Sequence, residues 1–297
     1  MDTPLRLAIF EWLNQQISVY GNVLHFNVLN SGFKINGEII HLLGSKGIWK
    51  PKQLDYPISV VSDPNGIYDD GFITDSLISY SYEGKNPNYW TNQLLRDCMM
   101  KNIPLIYLHK ITKGKYYVHL PVYIVGDKPE RLKFTIAAEQ GIKTQEAGII
   151  IQDPEEKYLI RRYSTREVKQ RLHQSTFREL VLDAYREHCA ICNLKHRELL
   201  DAAHIIGDGE ELGHPVIQNG LSLCKIHHAA FDNHIIGISP DYVVHVREDI
   251  LHEIDGPMLK YGIQSMDKNK LILPKSHKHY PDKERLDKRF EGFMKAG

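Results

Sequence analysis

The sequence predicts an α+β protein of two domains, and three observations carry that prediction. The first 145 residues break into short apolar runs separated by Gly, Asn, Asp and Pro; beyond them the apolar spacing becomes helical; and from Cys189 onward cysteines and histidines stand in pairs. A chain of 297 residues is long enough to close two cores. The expected division is a β-barrel-type domain over 1–145, a basic helical connector over 146–174, and a metal-stabilised domain with a C-terminal extension over 175–297. Formal net charge is zero, so bulk charge does not mark a nucleic-acid binder, and no uninterrupted apolar run is long enough to cross a membrane.

The first stretch, MDTPLRLAIFEWLNQQ, reads as an amphipathic helix. It begins with an acid where a secretory leader has a basic region, so the chain is expected to remain in the cytoplasm. NVLHFNVL, GFKING, EIIHLL and YPISVVS have strand character, as do SLISYSY, IPLIYLHKI, KYYVHLPVYIVG and RLKFTIA. WTNQLLRDCMMKN interrupts the second group as a helix. Many short strands with one or two helices predict a partly closed barrel.

IIIQDPEEKYLIRR reads as a last strand and a charged connector. STREVKQRLHQSTFRELVLDAYREHC then places Phe177, Leu180, Val181, Ala184 and Tyr185 at helical spacing. From Lys157 to Arg178 there are seven Lys/Arg against the single acid Glu167, a density that can track a phosphate backbone. Arg161, Arg162, Arg166 and Lys169 are the candidate backbone contacts. The chain ends in a basic helical segment, PDKERLDKRFEGFMK.

Four cysteines occur, and three of them lie between 189 and 224. Cys98 reads as a small buried residue. Cys189 and Cys192 form one knuckle, and Cys224 with His227 forms a second about thirty residues on; together they supply the four S/N ligands of a closed tetrahedral zinc site. Adjacent side chains on a helix point about 100° apart, so His228 faces away from that zinc. Asp232 lies one turn beyond His228 on the same face. An imidazole and a carboxylate in that relation suit a second, hard divalent ion, Mg²⁺ or Mn²⁺, with room for water and phosphate oxygens.

Upstream stands LLDAAHIIGDGEELGHPVIQNGLSLC, in which His204 follows a strand-like run and Asn219 comes fifteen residues later. With AAHI, NGLSLC and HHAAFD, residues 175–240 resemble the HNH endonucleases of the McrA-like restriction type, whose ββα-metal fold is named for a His, an Asn and a His in this order. The resemblance places those roles on His204, Asn219 and His228. It implies phosphodiester hydrolysis in which His204 is the general base, a contribution of roughly 10² to 10⁴ in rate. The ion held by His228 and Asp232 would neutralise charge on the phosphate and the departing 3′ oxygen. Asn219 would brace the loop that aims the base, and products would carry 5′-phosphate and 3′-hydroxyl ends. Many such sites have a further ligand immediately before the base, where this chain has Ala203; either Asp201 substitutes, or the metal keeps two protein ligands and more water. His214 reads as a polar loop residue.

The stretch from Tyr68 to Lys110 resembles the SRA-like (SRA/PUA-like) domains of modification-dependent restriction enzymes, on Tyr68-Asp69-Asp70-Gly71, SYSYEG, Asn92 and Leu95-Arg96-Asp97. That resemblance implies recognition of a 5-modified cytosine turned out of the duplex, stacked on aromatics and bonded through its Watson–Crick edge. Tyr68 and Tyr80, or Tyr82, are the candidate stacking faces, and Asp70 or Asp75 the candidate edge reader. The competing reading is that tyrosines on half-buried strands are packing and Asp-Asp-Gly is a turn. Trp49, in GIWKP, is either a DNA wedge or an interior Trp beside a turn.

The expectation is therefore a type IV-like restriction endonuclease acting on double-stranded DNA that carries modified cytosine, with structural zinc and catalytic Mg²⁺ or Mn²⁺. One active site per chain makes two-strand cleavage a task for a homodimer. The alternatives are an HNH nuclease directed by another signal, such as a phosphorothioate linkage or a short unmodified sequence, a ribonuclease or toxin, and a non-catalytic DNA-binding module.

Overall fold

The computed structural model describes residues 3–63, 71–74, 77–138 and 170–296. It divides into two units, Met1–Ser175 and Thr176–Gly297. Most of the segment expected as a connector, including Arg161, Arg162, Arg166 and Lys169, lies outside the described residues, as do Tyr68, Asp70 and Asp75.

The first unit opens with α1 (Thr3–Tyr20), β1 (Val23–His25), α2 (Phe26–Ser31), β2 (Phe33–Ile35), β3 (Glu38–Ile40), β4 (Ile48–Trp49) and β5 (Ser59–Ser62). It continues through β6 (Gly71–Thr74), β7 (Leu77–Ser81), α3 (Trp90–Met100), β8 (Leu105–Thr112), β9 (Lys115–Lys128) and β10 (Lys133–Ala138). One half-barrel sheet runs in the order β4-β5-β8-β9-β10-β7-β6, with β1 added on β9, and β2–β3 is a separate hairpin. The β5–β8 pair is parallel, and the other pairs of the large sheet are antiparallel. NVLHFNVL departs from expectation: only Val23–His25 is strand, because Phe26 N bonds Gly114 O at 2.7 Å and the chain then turns into α2, burying Leu29.

Both faces of the central strands are covered, which is why their sequences are almost continuously apolar. Ile58, Ile106, Leu108 and Val118 pack with Ile9 and Leu13 of α1. Val60, Tyr107 and Tyr117 belong to the other core, with Leu95 and Cys98 of α3. Arg6, 2% exposed, donates to the carbonyls of Pro57 (2.8 Å), Pro104 (3.0 Å) and Tyr56 (3.2 Å), so a buried charge ties α1 to the entrances of β5 and β8. Trp49 is half-buried: its indole donates to His41 O at 2.8 Å and its ring packs over Gly44, where any side chain would stand.

A helix over 170–184, α4, leads into the second unit, where Phe177, Val181 and Tyr185 are buried as the sequence spacing predicts, Leu180 and Ala184 are half-buried, and Leu182, outside the predicted set, is buried as well. There follow β11 (Leu200–His204), β12 (Gly220–Cys224) and α5 (Lys225–Asp232), then the hairpin of β13 (Ile236–Ile238) and β14 (Val244–Val246). Two short helices, α6 (Glu248–His252) and α7 (Pro257–Gly262), precede the terminal α8 (Lys283–Ala296). Asp282 starts α8 by accepting the Arg285 backbone N–H at 3.0 Å, and Leu286 and Phe293, two turns apart, are its buried face. Among the described residues no helix is long and apolar enough to cross a membrane.

Candidate functional site

The site is built on β11, β12 and α5. The two strands are antiparallel with Leu200 opposite Cys224 and His204 opposite Gly220, so His204 ends one strand where the other begins. Gly220 is required there: a Cβ would lie 2.3 Å from Val181 Cγ2 and 2.9 Å from Phe177 Cζ. That close approach brings the Phe177 ring onto the His204 imidazole, with centroids 4.0 Å apart and planes 15° from parallel. The Nε2 atom of His204 is buried without a hydrogen-bond partner among the described residues. Burial in this stack pushes the His204 pKa below the ordinary histidine value, and His228 adds to the push against the pull of Asp208 and Asp232. A neutral imidazole with an uncommitted nitrogen is the form a general base needs.

Asn219 is fully buried and clamps the loop that follows His204. Its Oδ1 accepts from Ile206 N at 3.0 Å, and its Nδ2 donates to Ile206 O at 3.0 Å and His214 O at 3.1 Å. Ile205 N adds a bond to Asn219 O at 2.9 Å. The clamp accounts for the Asn without any contact to a reacting group, and it gives His214 a role through its backbone alone.

Cys189, Cys192, Cys224 and His227 converge, each offering one ligand atom within 4.8 Å of the others. His227 Nδ1 lies 3.4 Å from Cys189 Sγ and 3.2 Å from Cys224 Sγ, and its Nε2 sits 2.7 Å from Gly262 O. The bond to Gly262 fixes the tautomer that leaves Nδ1 free for an ion. Against the effect of its burial, the sulfurs of Cys189 and Cys224 push the His227 pKa up to about 10. A proton is thus drawn to the place a cation would take, and the three-sulfur, one-nitrogen donor set fits zinc.

His228 points elsewhere, with Nε2 3.3 Å from Asp232 Oδ2 and Nδ1 3.9 Å from Asp201 Oδ2. Ligands in neighbouring positions of an octahedral ion with bonds near 2.1 Å stand about 3 Å apart, so His228 Nε2 and Asp232 fit one hard divalent ion. Asp201 flanks the opposite ring nitrogen and is engaged by Arg178 Nε (3.6 Å) and Lys225 Nζ (3.8 Å). It therefore lies on the Nδ1 side of His228, while Asp232 lies on the Nε2 side.

Several supporting residues carry no local sequence signal. Arg178 donates to Leu200 O at 2.8 Å, and Glu179, 1% exposed, is paired with Arg197, so α4 grips the start of β11. Arg289 of α8 donates to the carbonyls of Phe231 (3.0 Å) and Asp232 (3.3 Å), ending α5. Its Nη2 is also 3.9 Å from Asp232 Oδ1, on the side away from the His228 contact. Partners 18 to 58 positions apart leave no local pattern to read.

Of the three candidate stacking tyrosines in the first unit, the structure describes two. Tyr80 and Tyr82 are 3% and 1% exposed and belong to the core. The Tyr82 ring lies 4.4 Å from that of Phe134, and its hydroxyl is held by Asp127 and by Arg96 Nη2 (2.9 Å), while Arg96 Nε bonds Asp127 at 2.6 Å. Neither ring presents a face to a base, because strand alternation turns both toward the core. Asn92, equally buried, bonds Glu83 N (2.9 Å), Glu83 O (3.1 Å) and Asn86 O (3.1 Å), closing the loop before α3.

Residues 189–239 match the HNH endonuclease family. The second unit therefore carries an HNH endonuclease domain, and the matched span holds the Cys3His cluster, His204, Asn219, His228 and Asp232. No curated protein matches the chain. Among solved structures, the modification-dependent TagI restriction endonuclease is similar at 15% identity and a TM-score of 0.31, covering 80% of this chain and 81% of its own. The type IV phosphorothioation-dependent restriction endonuclease ScoMcrA is similar at 18% identity and a TM-score of 0.26, covering 63% of this chain and 50% of its own. Likenesses this distant define neither the fold of the first unit nor what it reads.

Proposed function

We propose that the protein is a modification-dependent DNA endonuclease in which the second unit cuts and the first unit reads. The observation that carries the cutting role is the convergence of an uncommitted, neutral His204, its Asn219-clamped loop, and the His228–Asp232 pair beside a separate Cys3His cluster. A zinc scaffold alone needs the four cluster residues and none of the others.

In this reading His204 takes a proton from the attacking water, Phe177 holds the imidazole plane, and Asn219 keeps the following loop in register. His228 and Asp232 hold Mg²⁺ or Mn²⁺, which when bound supplies charge neutralisation at the phosphate. Cys189, Cys192, Cys224 and His227 hold structural zinc. Hydrolysis gives 5′-phosphate and 3′-hydroxyl ends, and cutting both strands recruits a second copy of the chain.

Recognition of 5-modified cytosine by base flipping is supported by the Tyr68–Asp70 motif and the SRA-like run that follows it. With Tyr80 and Tyr82 committed to the core, Tyr68, Asp70 and Asp75 are the residues left for that role. A plasmid panel tests the whole reading: matched DNA bearing cytosine, methylcytosine, hydroxymethylcytosine or a phosphorothioate linkage, each with Mg²⁺ and with Mn²⁺. Cleavage confined to the 5-modified cytosines is expected. Cleavage of the phosphorothioate plasmid alone would reassign the signal, and equal cleavage of plain DNA would end the reader hypothesis.

A further inference from the structure

We infer that the loop over 275–279, in the C-terminal extension beyond the matched family span, is a DNA-backbone contact surface of the nuclease unit. The inference rests on the proposed nuclease reading and adds a binding surface to it. From 268 to 281 the chain has four lysines and two histidines and no acid, in a protein whose net charge is zero.

Two of those lysines are already occupied. Lys268 lies 3.9 Å from Asp267, and Lys270 donates to Asp241 O at 3.3 Å. Lys275 and Lys278 are exposed and have no ion-pair partner among the described residues. The next acid, Asp282, is turned into α8, where it accepts the Arg285 N–H at 3.0 Å and lies 3.5 Å from the Arg285 guanidinium. The charge of the loop is therefore uncompensated locally.

The loop is also held in place, unlike most lysine-rich surface segments. Ile272 N bonds Ala190 O, between the first two cluster cysteines, at 2.8 Å. Gln218 Nε2 donates to Lys278 O at 2.7 Å, and Asp282 N donates back to Gln218 O at 3.0 Å. The His277 ring packs at a tilt of 36° against that of Tyr280, with centroids 4.5 Å apart. Gln218 immediately precedes Asn219, whose amide clamps the loop after His204. Two backbone anchors thus fix Lys275 and Lys278 relative to the reaction centre, so little ordering entropy opposes their meeting a regular row of phosphates.

The test uses the full chain in a His204→Ala background, so that bound duplex is not cut. Affinity for a duplex carrying the preferred modification is measured across a salt series for this parent and for added Lys275→Gln/Lys278→Gln. The expected result is a log–log salt slope shallower by roughly 0.9 per lost contact, about 2 in all, with unchanged melting temperature and zinc content. An unchanged slope in a parent that binds, with wild type that cuts, overturns this surface and leaves the nuclease reading intact. Wild-type protein that neither binds nor cuts any duplex of the panel overturns both.

Discussion

In both units some buried tyrosine and histidine atoms lack a partner among the described residues, Tyr117 Oη and His119 Nε2 in the first and Tyr185 Oη and His204 Nε2 in the second, so what separates the units is what surrounds such an atom. In the half-barrel, Tyr82, Arg96 and Asp127 bond to one another and Asn92 closes a loop, so these polar side chains are spent on internal partners. In the ββα unit, His204 has a nitrogen with no partner, and His228 faces carboxylates on both sides. A folded protein satisfies its buried polar atoms wherever it can. Where it leaves one open beside a clamped loop, chemistry is the economical explanation.

Removing the metal from the Cys3His cluster should break this comparison most severely. Structural zinc binding is worth on the order of 10 kcal/mol, so chelation or Cys189→Ser should abolish cleavage and unfold the second unit while the half-barrel persists. Limited proteolysis with and without chelator, followed by mass spectrometry, reads the outcome. Equal protection of both units in metal-free protein would show that the cluster is not a staple.

His204→Ala comes next, with an expected loss of roughly 10² to 10⁴ in cleavage rate and no change in melting temperature. Because burial holds the His204 pKa below its ordinary value, the acid limb of the wild-type pH–rate profile should lie below pH 6.5, and a limb at or above that value would contradict the neutral-base assignment.

Acid should then separate the units in the other direction. His109 and His119, on the inner strands β8 and β9, are pushed by burial to pKa values of about 4. Both are neutral in folded and unfolded chains above pH 6.5. As pH falls below 6.5 the unfolded chain gains protons first, so stability is lost between 6.5 and about 4, roughly 2 kcal/mol per ring by pH 5. Urea unfolding of the wild type and of His119→Gln at pH 7.5 and 5.0 checks this; the variant should show a smaller acid penalty.

The smallest expected effect sharpens the contrast most directly. Tyr82→Phe removes one hydroxyl from the Asp127–Arg96 group and should cost about 1 kcal/mol of stability. Discrimination between modified and plain DNA should not change. If it does, Tyr82 reads the base after all.

Much of the nuclease half was legible because its ligands are close in sequence. A Cys-x-x-Cys, a Cys-x-x-His and a His four residues before an Asp are set by local backbone geometry, so spacing alone distinguishes the Cys3His group from the His228–Asp232 pair. The first unit was harder, since an aromatic on a strand looks the same whether it faces the core or a ligand. Tyr80 and Tyr82 sit on the buried side by strand register, and register is a property of pairing partners such as Phe134 opposite Tyr80.

By itself, the sequence determined the α+β class, the position of most strands and helices and the Cys3His group that the structure brings together, and it singled out His204, Asn219 and His228, because each depends on periodicity or on contacts within a few residues. Only the tertiary structure decided that Asp201 stands on the Nδ1 side of His228, that Phe177 covers His204, and that α8 returns to finish the helix carrying Asp232. Those outcomes are set by contacts between residues far apart in the chain, whose geometry exists only once the core has closed.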